Sequence, residues 1–258
     1  MEVRRLSFYE TLARHYDEIF PLKEPQETFL RNFLQQHGVQ SVLDVGCATG
    51  NHTLAMASWG LQCVGLDLSP AMIEIARRKL APDMLGQTSN SVVRSERTSQ
   101  GGQANFLVGN MLQLDQLPDT YDALVCLGNT LVHMTEESSL REVLLQFRHK
   151  AKNLLVQIVN YDRVLDQEEW RLPEIRTRNL EFYRRYSWRP DGLLEFTAEI
   201  KLAHNGHVVA DSTLLRPLRR DDLSNLLTYA GWTVGPSFGS WGGVPWSPKS
   251  PATIMSAV

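Results

Sequence analysis

Apolar positions along the first two-thirds of the chain change spacing block by block. Phe29, Leu30, Phe33 and Leu34 recur at helical intervals, which predicts a helix over Glu27–His37 closed by Gly38. Val42, Leu43 and Val45 then surround Asp44 in a short buried strand that ends in a glycine turn. Leu54, Ala55 and Ala57 begin a second helix, and Gln62–Asp67 is a second strand. Ser69 caps a helix over Pro70–Leu80, with Met72, Ile73, Ile75, Ala76 and Leu80 as its apolar stripe. Ala104–Met111 covers a third strand and its exit. Ala123–Leu127 is a fourth strand, Ser138–Lys152 a helix and Asn153–Val159 a fifth strand. Strands alternating with helices predict an α/β fold around a parallel sheet.

Both ends of the chain depart from that rhythm. Leu6–Tyr16 carries apolar and aromatic groups at mixed helical spacing, and Pro21 limits any helix there. Pro82–Gln103 is polar and aperiodic, and reads as a long surface loop or partly disordered insertion. After the fifth strand, Leu180–Trp188, Leu193–Leu202 and Val208–Leu218 alternate in strand fashion, with a hairpin turn at Asn205-Gly206. They predict a three-stranded antiparallel meander. A helix through Tyr229, capped at Gly231, and strands over Trp232–Phe238 and Ala252–Val258 complete the chain.

Candidate chemistry begins at the glycine turn. Gly46 and Gly50 permit positive φ and close backbone approach, and Asp67 follows about 20 residues later, where an acid accepts hydrogen bonds from ribose hydroxyls. A dinucleotide fingerprint wants glycine where Ala48 and Asn51 stand, and a phosphate loop wants Gly-Lys-Ser/Thr where Gly50-Asn51-His52 stands.

Asp44, Gly46 and Gly50, together with Asp67 and Ser69-Pro70-Ala71-Met72, resemble class I S-adenosylmethionine (SAM) methyltransferases. A Rossmann-like domain for another adenosine cofactor is the alternative. Leu127-Gly128-Asn129-Thr130 with His133, and Asn160-Tyr161-Asp162, are similar to motifs of glycine N-methyltransferases. The resemblance implies a seven-stranded Rossmann-like sheet with helices on both faces, its last strand antiparallel, plus a small antiparallel lid sheet. It implies a helical cap over residues 1–40, a SAM-binding core over 41–169, a lid over 170–217 and a completion of the core sheet over 218–258.

The same resemblance implies SAM as cofactor, S-adenosylhomocysteine as product and nitrogen or oxygen of a small molecule as acceptor. Asp44, Gly46, Cys47, Gly50, Asp67, Leu68, Met72, Asn110, Met111, Leu127, Gly128 and Asn129 are the cofactor contacts it assigns, with Tyr16 as a flap. His133, Asn129, Tyr161 and Tyr16 are its candidates around the reacting atoms. For Tyr16 and Phe20, and for His133 as a helix-start residue, plain packing is the competing reading. The family's arginine for an amino-acid carboxylate falls on Val159, which argues against glycine as acceptor. Arg163, Arg184 and Arg185 are the replacement cations, and Tyr183, Tyr186 and Trp188 line a pocket or merely pack the small sheet.

Composition narrows the partners. A net charge of −3 gives no broad basic field for nucleic acid. The three cysteines sit in apolar segments, so neither a disulfide frame nor a metal cluster is expected. No leader or membrane-spanning run is evident, which makes cytoplasm the expected compartment; the class also allows a homodimer. A protein- or RNA-directed methyltransferase and a non-catalytic SAM-binding protein remain alternatives.

Overall fold

The central strands of the main sheet are buried on both faces, and that decides how the helices lie. The computed structural model describes residues 2–80, 96–97, 101–166 and 169–258. In chain order the leading elements are α1 (Glu2–Ile19), α2 (Glu24–Gln36), β1 (Ser41–Val45), α3 (Asn51–Ser58), β2 (Gln62–Asp67) and α4 (Pro70–Leu80). Then come β3 (Glu96–Arg97), β4 (Gln103–Val108), β5 (Tyr121–Cys126), α5 (Glu137–Lys150), β6 (Ala151–Val159) and α6 (Tyr161–Val164). The remainder is β7 (Glu169–Arg171), β8 (Ile175–Arg176), β9 (Leu180–Trp188), β10 (Leu194–Leu202), β11 (Val208–Leu215), α7 (Arg220–Tyr229), β12 (Val234–Phe238) and β13 (Ala252–Ala257).

The main sheet has the order β12-β13-β6-β5-β1-β2-β4-β3. β6, β5, β1, β2 and β4 run parallel, and β13 runs antiparallel to both β6 and β12. This is the expected seven-stranded arrangement with a two-residue strand, β3, added antiparallel at the β4 edge. Most of the polar 82–103 stretch lies outside the described residues. Successive side chains point to opposite faces. Ala123, Val125 and Leu155 meet one core with Leu30 and Phe33 of α2, Met56 of α3 and Ile73 of α4. Leu124, Cys126, Leu154 and Val156 meet another with Leu140 and Phe147 of α5 and Leu223 of α7. Helices therefore cover both faces, as a parallel sheet requires.

The second sheet has the order β11-β10-β9-β7, with β8 also paired to β9. The expected meander is present, and β7 and β8 extend it. Those two pair over only three and two residues, too short a run to show a period in sequence. Phe8 and Ile19 of α1 share an apolar cluster with Phe182, Ala198, Ile200 and Val209 of this sheet. α1 extends beyond the Leu6–Tyr16 stretch at both ends, and its apolar groups serve two surfaces at once. Asn160, Tyr161 and Asp162 explain how the parts are pinned. The Asn160 amide donates to the carbonyls of Ser247, Pro248 and Ser250 at 3.0–3.1 Å. Tyr161 bonds to Asn129, and Asp162 accepts from the first amide of α7 at 2.8 Å.

Candidate active site

The bend after β1 is a backbone cradle. Gly46 has φ +77° and Gly50 +80°, and Gly50 is the N-cap of α3. A Cβ on Gly50 would stand 2.5 Å from the Phe106 ring, so only glycine fits this approach. Asp67, at the end of β2, accepts from the Ala48 amide at 2.8 Å and the Ser69 amide at 2.9 Å. Its carboxylate thus ties the bend to the α4 start. A carboxylate accepts about four hydrogen bonds, so positions remain for ligand hydroxyls. Burial raises the Asp67 pKa, and the two amide bonds partly offset that rise.

Asp44 lies beneath the bend, buried, and accepts from the Thr53 hydroxyl at 2.6 Å. Burial pushes its pKa from 3.8 up to about 7; the Thr53 bond opposes the shift and the charge of Asp67 adds to it. Between those two values the folded chain holds a proton that the unfolded chain has released. Stability from this group therefore falls as pH rises through that window, and is level below and above it. Asp44→Asn is expected to gain stability over wild type between pH 4 and pH 7, with a constant gap beyond. Urea denaturation across that range checks the sign; parallel pH profiles would contradict it.

The exit of β5 meets the bend from the other side. Asn129 has φ +69° beside Gly128 at +68°, a left-handed pair that turns the chain sharply. The Asn129 side chain donates to Tyr161 Oη at 3.0 Å and accepts from the Val159 amide at 2.9 Å. Thr130 donates to the Leu127 carbonyl at 2.7 Å, and its methyl group occupies the space where a Gly46 Cβ would project. The two loops that carry the sequence motifs interlock at this point.

α1 covers the bend. Asp17 accepts from Thr49 Oγ1 at 2.5 Å and pairs with Lys79 Nζ at 2.5 Å. Lys79 also donates to the Thr49 carbonyl at 2.9 Å and to Asn51 Oδ1 at 2.8 Å. The next residue, Glu18, accepts from Asn179 in the turn before β9, at 3.0 Å from its side-chain amide. Burial alone would raise its carboxyl, but hydrogen bonds from Thr177, Asn179 and His15 lower it to about 2. Tyr16 stands between these anchors. Burial, then the charges of Asp67 and Asp44, push its hydroxyl far up, so it remains a neutral hydrogen-bonding group. Ala13, Ala48 and Met72 form a buried cluster with Tyr16 against it.

Between the two sheets lies a cavity of about 790 Å³. Tyr16, Phe20, Asp44, Gly46, Cys47, Leu127, Gly128, Asn129 and His133 line it, so much of the anticipated site converges. Gly50, Asp67, Leu68, Met72, Asn110, Met111 and Tyr161 lie outside that wall. Leu68 is exposed, and Asn110 Oδ1 accepts from the Leu112 amide at 3.0 Å in a 3₁₀ turn. Tyr161 is fully buried and reaches the cavity through Asn129 and through Tyr186, whose ring centre lies 6.1 Å from its own. Of the three arginines, Arg184 alone lines the cavity; Arg163 stacks on Trp170, and Arg185 is exposed. Tyr186 lines it, while Tyr183 bonds to Glu181 on the opposite strand face and Trp188 is exposed at the strand end.

His52, Asp17 and Lys79 were not visible in the sequence as site residues. His52 lines the cavity with a buried Nε2 that has no partner among the described residues, and burial pushes its pKa down to about 4. Lys79 resembles any basic residue at a helix end. Its partners, Asp17, Thr49 and Asn51, lie far back in the chain, and only the fold gathers them.

A family model described as a methyltransferase domain matches residues 42–153. A glycine/sarcosine N-methyltransferase from Parasynechococcus marenigrum is 30% identical over 147 residues, covering 55% of this chain and 46% of that protein. One from Aphanothece halophytica is 25% identical over 250 residues, covering 91% of this chain and 83% of that one. The chain therefore spans about half the length of the first of these curated relatives. A SAM-dependent methyltransferase structure from Clostridium acetobutylicum has the same fold, with a TM-score of 0.77 at 13% identity over 96% of this chain and 98% of that one. Residues 42–153 thus match a methyltransferase domain, and the chain as a whole has the fold of the class I SAM-dependent methyltransferases. Within that class it is related to the glycine/sarcosine N-methyltransferases.

Proposed function

We propose that this protein transfers the methyl group of SAM to a nitrogen, or to an oxygen, of a small-molecule acceptor. The observation that carries the reading is the cavity itself. Its floor is the glycine bend and the β5 exit, and its roof is the second sheet with α1. The methionine end of the donor and the acceptor would share this space, with the donor's ribose and adenine beyond its wall. The cofactor would lie with its ribose at Asp67, its adenine toward Asn110 and Met111, and its methionine part along Gly46, Cys47 and the Leu127–Asn129 turn.

The sulfonium already makes the methyl group reactive. The protein's task is alignment and the exclusion of water. The acceptor lone pair forms the new bond to the methyl carbon as the carbon–sulfur bond breaks, and that electron pair returns to sulfur. An amine must be neutral to attack, and it sheds its proton afterwards. His133 on the cavity wall is placed to take it. Asn129 and the neutral Tyr16 hydroxyl orient the ligands, and Tyr161 holds Asn129. Among the described residues no cluster of His, Cys, Asp or Glu could hold a metal ion, and no helix is long and apolar enough to cross a membrane.

The names of the two curated relatives point to nitrogen as the acceptor atom. Val159 at the position of the carboxylate arginine, and a largely apolar roof, favour something larger than glycine. A protein or RNA substrate would need an open groove; the roofed cavity favours a small molecule. Radiolabelled SAM incubated with a panel of amines and phenols tests the reading, and absence of transfer to every member, together with absence of SAM binding, would sink it.

The α1 anchor gives a second test. Asp17→Ala removes two short polar contacts, at a cost on the order of 1 kcal/mol because the ion pair is partly exposed. SAM is expected to bind roughly 3- to 10-fold more weakly, through faster release. Stopped-flow dissociation checks this; an unchanged off-rate would separate the anchor from the cofactor.

A further inference from the structure

Arg184 occupies the middle of the cavity roof, and its surroundings do not account for its charge. In register across the second sheet, Arg184 on β9 pairs with Ala198 on β10. Phe182 and Tyr186 flank it on the same face of β9, and Phe196 stands opposite Tyr186. The guanidinium carbon lies 5.1 Å from the centre of the Phe182 ring and 5.7 Å from that of Phe20. Ala198, the small member of its row, leaves room beside the guanidinium. The aromatic enclosure therefore has one open side, and that side is the cavity.

The hydrogen bonds are incomplete. A guanidinium has five N–H donors. One terminal nitrogen donates to the Pro173 carbonyl at 2.9 Å, and the buried Nε has no acceptor. Among the described residues Arg184 makes no ion pair. Asp211, next in the same row on β11, is partnered elsewhere. Burial lowers the proton affinity of Arg184, yet a guanidinium keeps its charge in proteins. A half-buried cation without a counter-charge is unfavourable, whereas a planar carboxylate brought against it forms a strong, directional pair. The rings around it do not supply that negative charge; they match an apolar body.

We propose that Arg184 is the acceptor-binding cation, and that the acceptor is a carboxylate on an aromatic or bulky apolar body carrying the nitrogen or oxygen to be methylated. This rests on the methyl-transfer reading and names its substrate class. The cation enters from the roof, not from the end of β6 where Val159 stands. The acceptor is thereby hung from above, with its nucleophile directed down toward the β5 exit.

The test uses the intact protein, wild type, Arg184→Gln and Arg184→Lys. Calorimetry first measures SAM and S-adenosylhomocysteine binding, which should be the same in all three and also shows that the variants are folded. With the product-saturated protein, phenylacetate, phenylalanine and tryptophan are then titrated beside their amides. At least one acid should bind tenfold or more tightly than its amide. Arg184→Gln should erase that preference, and Arg184→Lys should restore part of it. Equal binding of acid and amide in every pair, no binding by any acid, or an acid preference that survives in Arg184→Gln overturns the proposal. Failure of the wild type to bind either SAM or its product instead overturns the parent reading, and this one with it.

Discussion

Asp67→Ala is expected to weaken SAM binding by at least about tenfold, equivalent to about 1.4 kcal/mol, and by more if the glycine bend relaxes. The carboxylate serves two purposes. It accepts from the Ala48 and Ser69 amides, and in the proposed binding mode its remaining lone pairs would take two neighbouring ribose hydroxyls. Alanine removes the sugar contact and leaves both amides without their acceptor. Asp67→Asn separates these effects, because a neutral amide still accepts one bond. An intermediate loss is expected for it, with the shape of the bend preserved. Calorimetric titration with SAM decides the matter: affinity unchanged in the alanine variant means that the sugar lies elsewhere.

Gly46→Ala should damage the cavity more than any other single-methyl change at the glycine bend. The residue sits at φ +77°, where a side chain costs roughly 1–2 kcal/mol. The added Cβ would also stand 2.3 Å from Thr130 Cγ2 and 2.6 Å from its Oγ1. One of the two interlocked loops must move, and both line the cavity. Loss of SAM binding below detection is expected, with a stability loss of about 2–4 kcal/mol in urea denaturation. Adding Thr130→Ala should return part of the stability, since it removes the two tightest contacts and leaves the backbone strain and a 3.0 Å approach of the two Cβ atoms. Purely additive single-variant effects would show that the two loops do not press on each other.

How much of this was legible in the sequence follows from the range of each interaction. The glycine bend, β1, β2, α4 and β5 depend on local spacing and turn chemistry, and they fall where the sequence places them. The seven-stranded main sheet with its antiparallel last strand came from resemblance, and the structure bears it out. The cavity was partly legible: Leu127–Asn129 and His133 announced themselves as a motif. Tyr161 came from a motif too, yet its motif turns out to bind three distant parts of the chain together. Asp17, Lys79 and His52 carried no local signal, because single polar residues gain meaning only from what the fold sets beside them. Of the arginines and aromatics after β6, strand alternation separates those facing the cavity from those facing out, but only once the register and the covered face are known.

Asp17 and Glu18 are consecutive residues of one helix, so their side chains leave it about 100° apart. One is moored to the bed of the donor, and the other to the turn that begins the ceiling. The two halves of the molecule consequently share a strut, and neither shifts without straining the other. Damage at Asn179, remote from any sulfur chemistry, would loosen the grip on the donor as surely as damage beside it.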